Sequence, residues 1–269
     1  MNNELSDIIE LKQAQEILDK TQQGIFPTFA YSILSQYLPG QIYFDSTKKS
    51  ALIGTRSGVF VTAGDERSKE FQDLLLDVYT RRKHEGQRFT LFSPSEQWRQ
   101  AIGSLFGGEL RQLHRYSFHF NNSKYNANTN TGVLQKKEAN EPFHAGKITA
   151  ESVTQSLEFN ESYILEYWGS ISRFLQHGFG YCLLHRDKIA SECISIFASP
   201  NYAEIDIATH PDYRGMGLAH RAGELFIEHC LEHGLIPKWD CDIDNIASIK
   251  LAERLGFDKP QPYSVFAKR

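Results

Sequence analysis

The sequence predicts a mixed α/β (α+β) chain in two halves. The C-terminal half is expected to carry a mixed, mostly antiparallel sheet flanked by helices, and the N-terminal half a separate α+β domain. Three observations carry this reading. Glu204-Ile205-Asp206-Ile207-Ala208 alternates with period two and leads through a glycine-bearing loop into Leu218, Ala222, Leu225, Phe226 and Leu231 at helical spacing. Two apolar runs, 179–185 and 188–198, flank Arg186-Asp187 and so predict a hairpin. The first half, for its part, reads as short strands, helix, strand, helix and strand.

Taken in order, residues 5–22 predict a helix, and 25–38 an aromatic, loop-rich stretch closed by a Pro39-Gly40 turn. Residues 41–44, 51–55 and 58–63 follow as short strands. Phe71, Leu74, Leu75, Val78 and Tyr79 make a helical stripe, 89–92 a strand, and 95–106 a helix capped by Ser95 and stopped at Gly107-Gly108. Residues 115–120 end this half as a strand. The Asn-rich run 121–132 has no hydrophobic period and reads as a linker, which puts the division at 1–130 and 131–269.

The second half opens near 141–148, with a helix over 150–157. A stronger helix follows Asn160: Tyr163, Ile164, Tyr167, Trp168, Ile171, Phe174 and Leu175 form one apolar face that Gly178 closes. After the hairpin and the Glu204 strand, the helix beginning near Gly215 is stopped by Gly234 and Pro237. Residues 238–242 read as a strand. Asn245 then opens a last helix that ends in Leu255-Gly256-Phe257.

Composition narrows the function classes. With 269 residues, either one large or two modest cores can be buried. A net charge of -4 gives no basic face for nucleic acid. Cys182, Cys193, Cys230 and Cys241 form no CxxC pair and fall in predicted strands and a helix, as small buried hydrophobes of a reducing compartment do. No apolar run is long enough to span a bilayer, and residues 1–22 are polar, so the expected location is cytoplasmic, with no membrane partner and a monomeric or homodimeric state. No metal site is expected from the ten histidines, and the GxSxG elbow is absent.

The chemistry concentrates in Asp212-Tyr213-Arg214-Gly215-Met216-Gly217-Leu218-Ala219. The first N–H groups of a helix lack internal partners and sit at the positive end of its dipole, which suits a pyrophosphate. Gly215 and Gly217 let the backbone approach an anion closely, and Arg214 adds a fixed positive charge. Neither GxGxxG nor the GxxxxGK pattern of nucleotide-binding loops is present.

The spacing Arg214-x-x-Gly217-x-Ala219 resembles the acetyl-CoA signature of the GNAT N-acetyltransferase superfamily, and the Asn245 helix with its Leu-Gly-Phe ending resembles the later motif of the same superfamily. Phe179-Gly180-Tyr181-Cys182, the Glu204/Asp206 strand, 220–233 and Trp239-Asp240-Cys241-Asp242 look like the subgroup of zwittermicin A resistance-type acetyltransferases. The resemblance covers the C-terminal half well. It implies acetyl-CoA as cofactor, held by Ile207, Ala208, Thr209, Arg214, Gly215, Met216, Gly217, Leu218, Ala219, Asn245 and Ser248, and a small-molecule amine as acceptor. The order of elements in the first half echoes the later part of that fold, as a degenerate copy would, and an unrelated α+β cap is the alternative. There the glycine loop is replaced by Gly64-Asp65-Glu66-Arg67-Ser68, whose carboxylates repel a pyrophosphate.

Transfer to an amine whose solution pKa is about 10.4 requires a proton acceptor. Glu204 and Asp206 share one strand face and Glu192 lies inside an apolar run, so these three are the candidate bases, with Glu204 first. The Tyr that many members carry seven residues after the motif Asn is replaced by Ala252, and Cys241 and Tyr263 are the substitutes near it in sequence. Tyr167 and Trp168 read as core residues first and as acceptor-pocket residues second. The alternative reading is a CoA-binding sensor without turnover.

Overall fold

The computed structural model describes residues 2–22, 25–130 and 142–268. The expected end of the linker at 131–132, and the expected start of the second domain at 131, lie outside them. The chain divides into two compact units, Met1–Ser117 with Gln261–Arg269, and Phe118–Pro260. The two differ from a cut at 130 because the last strand of each half ends in the other unit.

Unit 1 begins with α1 (Asn2–Thr21) and α2 (Thr28–Leu34). The second lies inside the stretch expected as loop: Pro27 precedes its first residue and Phe29, Ala30, Ile33 and Leu34 are buried. Then come β1 (Gly40–Phe44), β2 (Ala51–Thr55), β3 (Val59–Ala63), α3 (Lys69–His84), β4 (Thr90–Phe92), α4 (Glu96–Phe106) and β5 (Leu110–Phe120). β1/β2 and β2/β3 are antiparallel and β3/β4 parallel, with Val265 of the chain's final stretch facing Phe92. Phe60, Phe71, Tyr79, Phe89, Trp98 and Phe106 pack as one aromatic-rich core. Ser95 caps α4 by accepting the Trp98 N–H.

Unit 2 takes the end of β5, then α5 (Asn122–Asn130), β6 (Phe143–Lys147), α6 (Ala150–Gln155), α7 (Glu161–Trp168) and α8 (Ile171–His177). The Asn-rich run expected as a linker is therefore helical. Tyr125 is buried, and Asn121, Lys124 and Asn128 bond Asp258, the Phe257 carbonyl and the Arg254 carbonyl, so tertiary contacts supply what local pattern does not. The single helix expected after Asn160 is two helices, because Gly169 takes a left-handed C-cap (φ 77°) and Ser170 starts a new cap.

β7 (Gly180–His185) and β8 (Lys188–Ala198) form the expected hairpin, with Arg186 and Asp187 both at positive φ, as a two-residue primed turn requires. β9 (Tyr202–Thr209), a short 3₁₀ turn (Pro211–Tyr213), α9 (Leu218–Glu232), β10 (Ile236–Asp242), α10 (Ile246–Arg254) and β11 (Phe257–Lys268) complete the chain. The unit's sheet runs β10-β9-β8-β7-β6, parallel only between β9 and β10. The connectivity β7-β8-β9-α9-β10-α10-β11 is thus the same as β1-β2-β3-α3-β4-α4-β5. All four cysteines are buried and unbridged. Among the described residues, no helix is long and apolar enough to cross a membrane, and no group of His, Cys, Asp or Glu is arranged to hold a metal.

Candidate active site

The phosphate-binding candidate is a strand-to-helix junction in unit 2. Gly215 and Gly217 stand at φ 79° and 80°, a backbone that costs an L side chain about 1–2 kcal/mol, so only glycine takes it freely. Gly217 is the N-cap of α9 and offers no side-chain cap, and the first backbone bond of the helix is Arg221 N–H to the Gly217 carbonyl. The N–H groups of Leu218, Ala219 and His220 therefore open the helix without an intrahelical partner. A Cβ built on Gly215 or Gly217 meets nothing within 4 Å, so the space over the loop is open. The turn before it is fixed locally: His210 Nδ1 accepts the Asp212 N–H, and exposed Arg214 reaches back to the Thr209 carbonyl at 3.4 Å. Met216 is exposed, while Leu218 is buried and anchors the helix.

The strands leading to this loop part. β9 and β10 are paired only from Tyr202/Ile236 to Glu204/Lys238, although β9 runs on to Thr209 and β10 to Asp242. Ile207, Ala208 and Thr209 lie on the continuing stretch of β9. On the far side, Asn245 caps α10 by accepting the Ser248 N–H at 3.1 Å, and the Ser248 hydroxyl accepts the Trp239 indole N–H.

The register brings the three predicted carboxylates to one face. Glu192 faces Ala208 and Ile194 faces Asp206, and after a bulge Phe197 faces Glu204. Directly opposed residues of paired strands share a face, so Glu192, Asp206 and Glu204 all point toward the side that α6 and α7 cover. Their partners differ. Asp206 Oδ2 accepts the Tyr163 hydroxyl at 2.5 Å and Oδ1 accepts the Ile207 N–H. Glu192 is 3 % exposed; Oε1 accepts the Ser156 hydroxyl at 2.7 Å, and Oε2 is buried without a partner. Glu204 sits where the strands part, opposite Lys238.

Burial pushes the Glu192 carboxyl above its ordinary range, partly offset by the Ser156 hydrogen bond. The Tyr163 phenol is driven far up by burial, and next by the Asp206 charge. Lys238 is pushed down by burial against the opposing pull of Asp240 and Glu204. Tyr163, Ser156 and Lys238 are the site residues that sequence reasoning missed. Tyr163 looked like one more residue of an apolar helix stripe, and nothing in the sequence marks its partner some forty residues away.

Other predicted residues fall elsewhere. Trp168 is fully buried, with its indole N–H on the Ser195 carbonyl, whereas half-buried Tyr167 lies tilted against Tyr163 and edge-on to Phe197. Ala252 is fully buried in α10. Tyr263 belongs to unit 1, where it accepts a hydrogen bond from Arg115, and Cys241 is buried in β10.

Fold and motif together define an acetyl-group transferase architecture, and comparison with known proteins agrees. The profile of the GNAT acetyltransferase family matches residues 19–266, so the chain belongs to that family. It is 38% identical over 244 residues to the uncharacterized N-acetyltransferase YdfB of Bacillus subtilis (strain 168), covering 89% of this chain and 90% of that protein. Among solved structures it is similar to a GCN5-related N-acetyltransferase-like protein from Streptococcus suis 89/1591, with a TM-score of 0.70 and 25% identity over 97% of this chain and 98% of the other. A tandem GNAT protein from the clavulanic acid biosynthesis pathway shares the fold at a TM-score of 0.66 and 12% identity, over 98% and 95% of the two chains.

Proposed function

We propose that the chain is an acetyl-CoA-dependent N-acetyltransferase acting on a primary amine of a small-molecule acceptor. The observation that carries this is the α9 N-terminus: no side chain caps it, and two left-handed glycines open it one short turn after a strand that leaves its parallel neighbour. A cradle of that shape fits a pyrophosphate. The N–H groups of Gly217, Leu218 and Ala219, with Gly215, Met216 and the Arg214 charge, would hold it. Ile207, Ala208 and Thr209, on the stretch of β9 beyond its pairing with β10, would with Asn245 and Ser248 hold the pantetheine arm.

Bound acetyl-CoA supplies the acetyl group as a thioester. Glu204, the carboxylate placed where the strands separate, would take a proton from the acceptor ammonium, which frees the neutral amine's lone pair to attack the thioester carbon with the CoA thiolate as leaving group. Asp206, held by Tyr163, fixes a second negative charge on the same face and orients the cationic amine. The subgroup reading, a zwittermicin A resistance-type enzyme, rests on the sequence resemblance and points to an amino-polyol acceptor. Unit 1 is read as a copy of the same fold without the cradle, from its matching connectivity.

The rival is a CoA-binding sensor, favoured by buried Ala252 in the place of the expected Tyr. Calorimetry and turnover separate the two. Gly217→Val puts a branched side chain into the cradle at a strained φ and is expected to lower CoA affinity tenfold or more, as far as about 1.4 kcal/mol or beyond, while the melting transition persists. Unchanged affinity in the folded variant overturns the cradle assignment. CoA binding without acetylation of any member of an amine panel would favour the sensor.

A further inference from the structure

We propose that Glu192 is an acceptor-recognition residue: its unpartnered carboxylate oxygen binds a second ammonium group of the acceptor, one that is not acetylated. The proposal rests on the acetyltransferase reading and extends it to a substrate class, small acceptors carrying at least two cationic amines.

A cavity in unit 2 lies between β8, the end of β9 and the turn after α6, and is lined among others by Gln155, Glu158, Glu192, Ala208 and His210. Glu192 enters it in a held geometry. Ser156 donates its hydroxyl to Glu192 Oε1 and accepts the Phe159 N–H at 2.7 Å, which leaves that hydroxyl one orientation. Oε2 is buried and has no hydrogen-bond partner. Leaving a buried carboxylate oxygen unfilled costs about 1–3 kcal/mol or more, a cost that a donor from a ligand removes.

The chemistry of that donor follows from charge. Glu158 lines the same cavity, so the local field is negative, and a carboxylate or phosphate of a ligand is repelled there while an ammonium is attracted. Burial first, and the Glu158 charge more weakly, raise the Glu192 carboxyl against the lowering pull of the Ser156 hydroxyl and the Phe159 and Glu158 backbone, and a cation at Oε2 would oppose that rise by favouring the ionised form.

Position along the sheet decides which amine is bound. Glu192 pairs with Ala208, four residues beyond Glu204 on the same strand face, a separation of about 13 Å at roughly 3.3 Å per residue. One nitrogen cannot serve both carboxylates. Two carboxylates so spaced on one face, with Asp206 between them, match a chain or ring that carries one amine to Glu204 and another to Glu192. An amino acid would bring its own carboxylate against three fixed ones.

The test uses the full chain, with α,ω-diaminoalkanes and n-alkylamines of matched length as probes, in binding by calorimetry and in turnover with acetyl-CoA. The wild type is expected to prefer diamines, with an optimum at intermediate length. Glu192→Gln, isosteric and uncharged, should lower the diamine-over-monoamine preference about tenfold or more, the loss falling on KM rather than on kcat. Ser156→Ala, which frees the carboxylate to rotate, should reduce the preference less. No diamine preference in the wild type, an unchanged preference in Glu192→Gln, or a fall confined to kcat for both amine classes each overturns the proposal. A diamine preference in binding with no turnover would instead leave the subsite standing and remove the acetyltransferase reading.

Discussion

Glu204, Asp206 and Glu192 are three carboxylates on one face, and what their oxygens already hold separates their roles. Both oxygens of Asp206 are engaged, by Tyr163 and by the Ile207 amide, which favours a fixed charge over proton exchange. Glu204 stands at the separation of β9 and β10. Glu204→Gln is therefore expected to lower kcat about 10²-fold or more with little change in acetyl-CoA affinity; a near wild-type rate across pH would transfer the role to another group. The strand alternation made the shared face of Glu204 and Asp206 legible in sequence. Glu192 could not be placed on it without the register, and Tyr163 gave no polar signal at all. A second residue-scale outcome concerns His229, which packs at a tilt against Phe179 with ring centroids 4.0 Å apart and pairs through Nδ1 with the Tyr181 hydroxyl. Burial first, then the charges of His233 and Lys147, hold its pKa down at about 4. The unfolded imidazole titrates near 6.5, so between those values the unfolded chain binds more protons and stability rises with pH. The contribution is fully present above about pH 6.5 and is lost as pH falls toward 4. Replacing His229 by Phe should flatten that limb of the melting temperature against pH, and an unaltered slope would show that other groups set it.

Elements were legible in proportion to how far local pattern alone determines them. The β7/β8 hairpin, the β9 strand, α9 and α10 carry their own periodicity, turn and cap residues, and they form where the sequence places them. α2, α5 and the break between α7 and α8 do not. The break depends on Gly169 adopting a left-handed cap inside an apolar stripe that reads as continuous. The helix α5 is polar throughout and forms because one residue, Tyr125, is buried against the backbone of Gly256, with three side chains bonded to residues 254–258. Its stability is accordingly tertiary. Tyr125→Ala removes the single large anchor and is expected to cost about 3 kcal/mol, seen as a lower urea midpoint with unchanged slope. A loss below about 0.5 kcal/mol would mean that the Asn and Lys bonds hold the helix unaided.

At the scale of the whole molecule, one connectivity occurs twice with opposite treatment of its helix start. In unit 2 the α9 N-terminus has glycine at the cap and its first N–H groups open. In unit 1 the corresponding junction between β3 and α3 is closed by its own residues. Ser68 caps the helix by accepting the Phe71 N–H, and Gln72 donates to the Glu66 carbonyl. Asp65 accepts the Arg67 N–H, and the Arg67 side chain is drawn onto Asp65 and Glu66. Gly64 is no opening either, since a Cβ there would lie 2.1 Å from the Lys49 carbonyl oxygen. The Phe71 and Arg67 N–H groups are already taken and the Asp65 and Glu66 carboxylates stand beside the helix start, so a pyrophosphate meets fewer donors than in unit 2 and like charge besides. The sequence already showed the two carboxylates; the self-capping needed the structure. The full chain is therefore expected to bind one CoA, and Gly217→Val to weaken that one site with no second, unaffected site left behind. Calorimetry gives both numbers in one series: a stoichiometry of two, or a single site of wild-type affinity in Gly217→Val, would mean that unit 1 keeps a phosphate site which its closed loop does not offer.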